Sequence, residues 1–155
     1  MSNQMTYLPV SLNITNQKIL LVGGGKVALE KVTSLKRFTS DIHIVTEQAD
    51  QIIKDAGFPI TYKSYEKSDL EGYFIVYACT NIRDKNMEIK KDCEDLNTLV
   101  NIVDNPKLCD FISPAIYKHE NMTVAVSSNG QEVRRSIKWR NKIKDGIRNG
   151  TLELD

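Results

Sequence analysis

Residues 19–31 read ILLVGGGKVALEK: an apolar run, three successive glycines, then a helical pattern. The run is bounded by polar Thr15, Asn16 and Gln17 on one side and by glycine on the other, which predicts a buried strand over Lys18–Val22. Beyond the glycines, Ala28, Val32, Leu35 and Phe38 recur at the spacing of one helix face. Gly23, Gly25 and Ala28 satisfy G-x-G-x-x-G/A in the setting that gives the pattern meaning, after a strand and opening a helix. The first glycine allows the tight turn, the second lets the backbone approach a pyrophosphate, and the small third residue lets helix and strand pack closely. A helix N-terminus there presents unpaired N–H groups and the positive end of its dipole to phosphate. Gly23, Gly24 and Gly25 are therefore candidates to hold a dinucleotide; the alternative is a purely structural glycine turn. The G-x-x-x-x-G-K-[ST] loop is absent.

The rest of the chain alternates strand and helix patterns. Strands are expected at residues 42–45, 60–63, 74–79, 99–103 and 122–127. A weak helix is expected at residues 48–55. A longer one follows over NIRDKNMEIKKDCEDL, residues 81–96, with Asn81 as N-cap and Ile82, Met87, Ile89 and Cys93 as apolar positions. RRSIKWRNKIKDGIR, residues 134–148, closes the chain as a basic helix. The alternation implies an α/β fold, a Rossmann-type, doubly wound and mostly parallel sheet. It ceases near Ser113 and Pro114. The expected organisation is a dinucleotide-binding domain at residues 1–113 and a small C-terminal dimerisation and substrate-side segment at residues 114–155. Ile116, Val124, Val126, Ile137, Trp139 and Ile143 are too many apolar residues for a lone tail, so a homodimer is expected.

Composition narrows the class. The 155 residues carry a net charge of +1, with no apolar run near the ~20 residues that span a bilayer. The opening MSNQMTYLPV lacks the pattern of a secretory signal, so the expectation is a cytoplasmic protein without a membrane partner. Cys79, Cys93 and Cys109 form no CxxC, and His43 and His119 are the only histidines, so neither a disulfide framework nor a metal site is expected. The basic closing stretch reads as a solvated face, or as a surface for an anionic ligand or nucleic acid. Trp139 is its only aromatic, which argues against single-strand binding.

In doubly wound sheets, ligands bind outside the carboxyl ends of the strands. An NAD site usually places an acid at the end of the second strand, and Glu47 is the candidate, with Thr46 sharing the ribose contact. The alternative for Glu47 is an exposed carboxylate at a helix start. No arginine follows to take a 2′-phosphate, so NAD is favoured over NADP. At the next strand end, Thr80 can offer a hydroxyl to cofactor or substrate. Asp104, in NIVDNP at the end of the strand expected at residues 99–103, is the acid/base candidate. Asp-Asn-Pro is also good turn chemistry, and residue physics leaves both readings of Asp104 open.

The stretches YLPVSLNITNQKILLVGGGKVALEK, ACT, NIVDNPKLCDFISPAI and MTVAVSSNG together resemble the siroheme-synthase N-terminal domain family, the precorrin-2 dehydrogenases and sirohydrochlorin ferrochelatases. The resemblance covers residues 8–130. It implies NAD-dependent oxidation of precorrin-2 to sirohydrochlorin, with iron insertion as a further activity of some members. It implies that Asp104, in N-x-V-D, is the catalytic base, and that Lys26 and Val27 lie on the phosphate loop. Glu47 and Gln48 would contact the cofactor's ribose region. Asn101, which opens N-x-V-D, and Ser128, in V-A-V-S-S, would lie on the substrate side. Precorrin-2 carries eight carboxylates, so Arg134 and Arg135 are expected to help bind it.

The segment QEVRRSIKWRNKIK departs from the small-residue and proline pattern common in the family at that point. Members usually continue with a further helical segment that helps cover the substrate, whereas this sequence ends at Asp155. The expectation is a site completed by a second subunit or by a neighbouring enzyme of the tetrapyrrole pathway. The competing reading is a non-catalytic dinucleotide-sensing regulatory domain, which would keep the glycines without needing Asp104.

Overall fold

A computed structural model describes residues 5–103 and 105–153. Residues 9–111 form one unit; residues 5–8 with 112–153 form a second. The division falls after Phe111, and residues 5–8 group with the later unit, whereas the sequence pattern suggested 1–113 and 114–155.

The first unit runs β1 (Lys18–Val22), α1 (Lys26–Leu35), β2 (Ile42–Thr46), α2 (Gln51–Asp55), β3 (Ile60–Tyr62), β4 (Tyr73–Ala78), α3 (Arg83–Asp95) and β5 (Leu99–Ile102). All five strands are parallel, in the order β3-β2-β1-β4-β5. The central strands β1 and β4 are apolar on both sides because both faces of the sheet are covered there. Strand alternation sorts them: Leu20 and Val22 join Val76, Ile89, Cys93 and Val100 in one core. Ile19 and Leu21 join Ala28, Val32, Ile44 and Ile53 in the other. Successive strands step outward from β1 to β3, then the chain returns to place β4 on the other side of β1. This reversal between β1 and β4 opens a crevice at their carboxyl ends.

The edge strand β5 is laced by the segment that follows it. Val100 N–H donates to Asp110 Oδ2 at 3.0 Å, and Asp110 N–H returns a bond to the Val100 carbonyl at 3.0 Å. Ile102 N–H donates to Cys109 Sγ at 3.1 Å. A sheet edge with its N–H groups occupied is closed to further strand pairing.

Several local expectations are corrected. The first helix stops at Leu35, and Phe38 lies exposed beyond it. The helix expected from residue 48 begins at Gln51, because residues 46–49 pack against Gly24 instead. Asn81 does not cap α3; Ile82 holds that place, and its N–H donates to the Thr80 hydroxyl. Ile82 and Met87 are exposed, while Asn86 is buried. Short 3-10 turns occupy Lys67–Leu70 and Pro106–Leu108.

In the second unit, β6 (Ala115–His119) pairs antiparallel with β7 (Met122–Val126), and α4 spans Val133–Arg148. Strand β6 was not expected. Its AIYKH pattern is mixed, and the chain reverses at Glu120, with φ 51°, rather than at an Asn-Gly pair. Helix α4 packs on this hairpin, and Arg140 Nη1 donates to the Ile116 carbonyl at 2.8 Å. Val133, Ile137 and Trp139 remain exposed along α4.

Candidate functional site

The carboxyl ends of β1, β2 and β4, with the segment after β3, enclose a cleft of about 640 Å³. Gly23 leaves β1 at φ +120°, and a Cβ there would lie 2.6 Å from the Cys79 carbonyl oxygen at the end of β4. Only glycine lets the chain turn so close to that strand. Gly25 caps α1 without a side-chain hydrogen bond, and the first turn of α1 carries no acid. The space where a Gly25 side chain would stand is empty. The helix therefore offers its N-terminal N–H groups and dipole to the cleft, with Lys26 and Val27 on the same lip. Ala28, with no accessible surface, lets α1 sit close on the sheet. These residues fit the pyrophosphate of a dinucleotide.

Thr46, Glu47 and Gln48 form the opposite wall. The Thr46 hydroxyl donates to the Gln48 carbonyl at 2.7 Å, so its proton serves the loop. Glu47 is exposed to the cleft and accepts a hydrogen bond from the Ser64 hydroxyl. Sequence reasoning missed Lys63, Ser64 and Tyr65, which follow β3 and line the cleft. The one available signal was that they sit at a strand's carboxyl end. Lys63 lies between Glu66 Oε2 at 3.1 Å and Asp69 Oδ1 at 3.0 Å, and these bonds hold its ammonium above the usual lysine range. Burial, then the bond to Asp92, pushes the Tyr65 phenol well above its ordinary range, so it stays neutral.

Thr80 lines the cleft, but its hydroxyl is engaged in the turn. It donates to Asn86 Oδ1 at 2.6 Å and accepts from Ile82 N–H at 3.2 Å, and Asn86 Nδ2 returns a bond to the Thr80 carbonyl at 3.0 Å. This explains the buried Asn86: it ties the start of α3 to the end of β4.

Asn101 does not line the cleft. It is buried at 5% exposure, and its amide donates to the Phe111 carbonyl at 2.9 Å. Position 101 alternates onto the side of β5 where the returning segment passes, so its amide satisfies that backbone. Asp104 lies outside the described residues. Ser128, Arg134 and Arg135 belong to the second unit. There the Ser128 hydroxyl accepts the Glu132 N–H at 2.9 Å, supporting the start of α4. Arg135 pairs with Glu132 at 2.9 Å and stacks on Trp139, while Arg134 is exposed. Among the described residues no group of three His, Cys, Asp or Glu side chains could hold a metal ion, and no helix is long and apolar enough to cross a membrane.

Comparison with known proteins agrees with this geometry. The family described as Putative NAD(P)-binding matches residues 10–115. The siroheme synthase of Psychrobacter sp. (strain PRwf-1) is 37% identical over 131 residues, covering 82% of this chain and 27% of that protein. The siroheme synthase of Nitrosomonas europaea is 35% identical over 131 residues, covering 81% of this chain and 28% of its own length. The chain thus spans little more than a quarter of these curated relatives. The solved structure of SirC, precorrin-2 dehydrogenase, superposes with a TM-score of 0.79 at 19% identity, covering 91% of this chain and 71% of that one, a likeness of fold.

Proposed function

Because the chain belongs to the family described as Putative NAD(P)-binding, we propose that it binds NAD in the cleft and oxidises precorrin-2 to sirohydrochlorin in siroheme synthesis. The observation that carries the reading is the glycine cradle at the β1–β4 reversal, in a chain 37% identical to a siroheme synthase. Bound NAD supplies a hydride acceptor. The backbone of residues 23–27 and the N-terminus of α1 hold the pyrophosphate. Glu47 accepts the ribose hydroxyls and repels a 2′-phosphate, which favours NAD over NADP. Asp104 removes the proton that must leave with the hydride. Arg134 and Arg135 bind substrate carboxylates. A second copy of the chain, joined through residues 114–155, or a neighbouring tetrapyrrole enzyme completes the substrate side.

The test is incubation of the pure protein with precorrin-2 and NAD while sirohydrochlorin absorbance is followed. Formation of sirohydrochlorin that requires NAD is expected. Tight NAD binding without turnover would replace this reading by the sensor reading. Adding ferrous iron to the same assay reports iron insertion.

A further inference from the structure

The wall that carries Glu47 is clamped from two directions. From the glycine loop, Gly24 accepts the Asp50 N–H at 2.8 Å. A Cβ on Gly24 would lie 2.4 Å from the Gln48 carbonyl oxygen, 2.8 Å from Ala49 Cα and 2.9 Å from Thr46 Cγ2. Two of these three are backbone atoms, which cannot swing aside as a flexible side chain would. Any side chain at residue 24 therefore drives residues 46–49 away from the glycine loop. From the other direction, Ser64 donates its hydroxyl to the Glu47 carboxylate, and Lys63 N–H donates to the Thr46 carbonyl at 3.1 Å. The middle glycine thus does different work from its neighbours, whose missing side chains face β4 and open space.

We infer that Gly24 and Ser64 are positioning residues that set which dinucleotide the cleft prefers, by holding the Glu47 loop in register with the phosphate cradle. This rests on the NAD reading above. The carboxylate can discriminate a ribose hydroxyl from a 2′-phosphate only at a fixed distance from the pyrophosphate. Gly24 fixes the loop, and Ser64 fixes the carboxylate on it.

The test is calorimetric titration of NAD and NADP, separately, into the full chain and its Gly24→Ala, Ser64→Ala, Glu47→Ala and Ser64→Ala/Glu47→Ala variants. Gly24→Ala should weaken NAD about tenfold while changing NADP less, because overpacking a tight backbone contact displaces the loop. Ser64→Ala should narrow the NAD preference about threefold, the low end of the net worth of one hydrogen bond. In the Glu47→Ala background the same Ser64→Ala change should move the preference by less than about 1.5-fold, since a positioning residue has nothing left to position. An undiminished Ser64 effect in that background would show a direct contact or a general structural role, and would overturn the inference. An unchanged preference in folded Gly24→Ala would overturn it equally. Should Gly24→Ala not fold, the Ser64–Glu47 cycle decides alone. If the unaltered protein binds neither dinucleotide, the NAD reading fails and this inference falls with it. If it binds NAD with a preference that no clamp variant alters, only this inference fails.

Discussion

Replacing Asn101 with alanine separates the two roles this residue has been given. Resemblance put Asn101 on the substrate side, whereas the structure buries it and aims its amide at the Phe111 carbonyl, 2.9 Å away. Its second partner, Cys109 Sγ at 3.5 Å, is a weak acceptor. Asn101→Ala removes one good buried bond and leaves the Phe111 carbonyl without that donor, which costs about 1–3 kcal/mol. For a chain of 155 residues, each kcal/mol lowers the melting temperature by about 2–4 °C, so a fall of about 4–8 °C is expected for a loss near the middle of that range. Urea unfolding should give a lower midpoint at unchanged slope, since no surface is newly exposed in the native state. Steady-state kinetics well below the melting point should leave KM for precorrin-2 within about twofold, because the side chain reaches no cleft surface. Unchanged stability together with a tenfold rise in that KM would refute the structural role and restore Asn101 to the substrate.

Asp104→Asn keeps size and turn-forming capacity but cannot act as a base at neutral pH; it should bind NAD nearly normally and lose about 100- to 10,000-fold in sirohydrochlorin formation. Full activity in the folded variant would sink its role as base. Burial pushes the Cys93 thiol up to about 12. A raised folded-state pKa means the unfolded thiol ionises first, so the stabilising contribution is whole below the ordinary thiol value of 9.0 and is lost as pH climbs towards about 12. Urea midpoints measured across that window should fall, and Cys93→Ala should flatten the decline; an equal slope in the variant would remove Cys93 as its source. Sedimentation at micromolar concentration should show a dimer. Trp139, 53% exposed on α4, is the place to perturb it, and a monomeric unaltered protein would count against the homodimer.

The glycine loop was legible because its physics is local. A strand pattern, a turn that needs glycine at φ +120° and a small residue at Ala28 all lie within a few positions of one another. The central strands β1 and β4 were legible for a related reason: a strand covered on both faces must be apolar almost throughout, and that run shows in sequence. Strand β6 and the 3-10 turns carry no such mark, being half-buried or held by a few hydrogen bonds.

What the sequence determined by itself was thus the alternation of strand and helix, the cradle at Gly23 and Gly25, and Glu47 at the end of β2. Tertiary structure alone decided which polar side chains face the cleft. Thr80 and Asn101 sit at or near strand ends like true ligands, yet one is engaged with Asn86 and the other with the Phe111 carbonyl. Ser64 reaches Glu47 across 17 positions of chain, and the Cα of Gly24 packs against Gln48 and Ala49. Hydrogen bonds and backbone contacts between residues distant in sequence leave no periodicity, because each depends on how strands pair and loops pack, and a polar residue's type is the same whether it serves a ligand or its own fold.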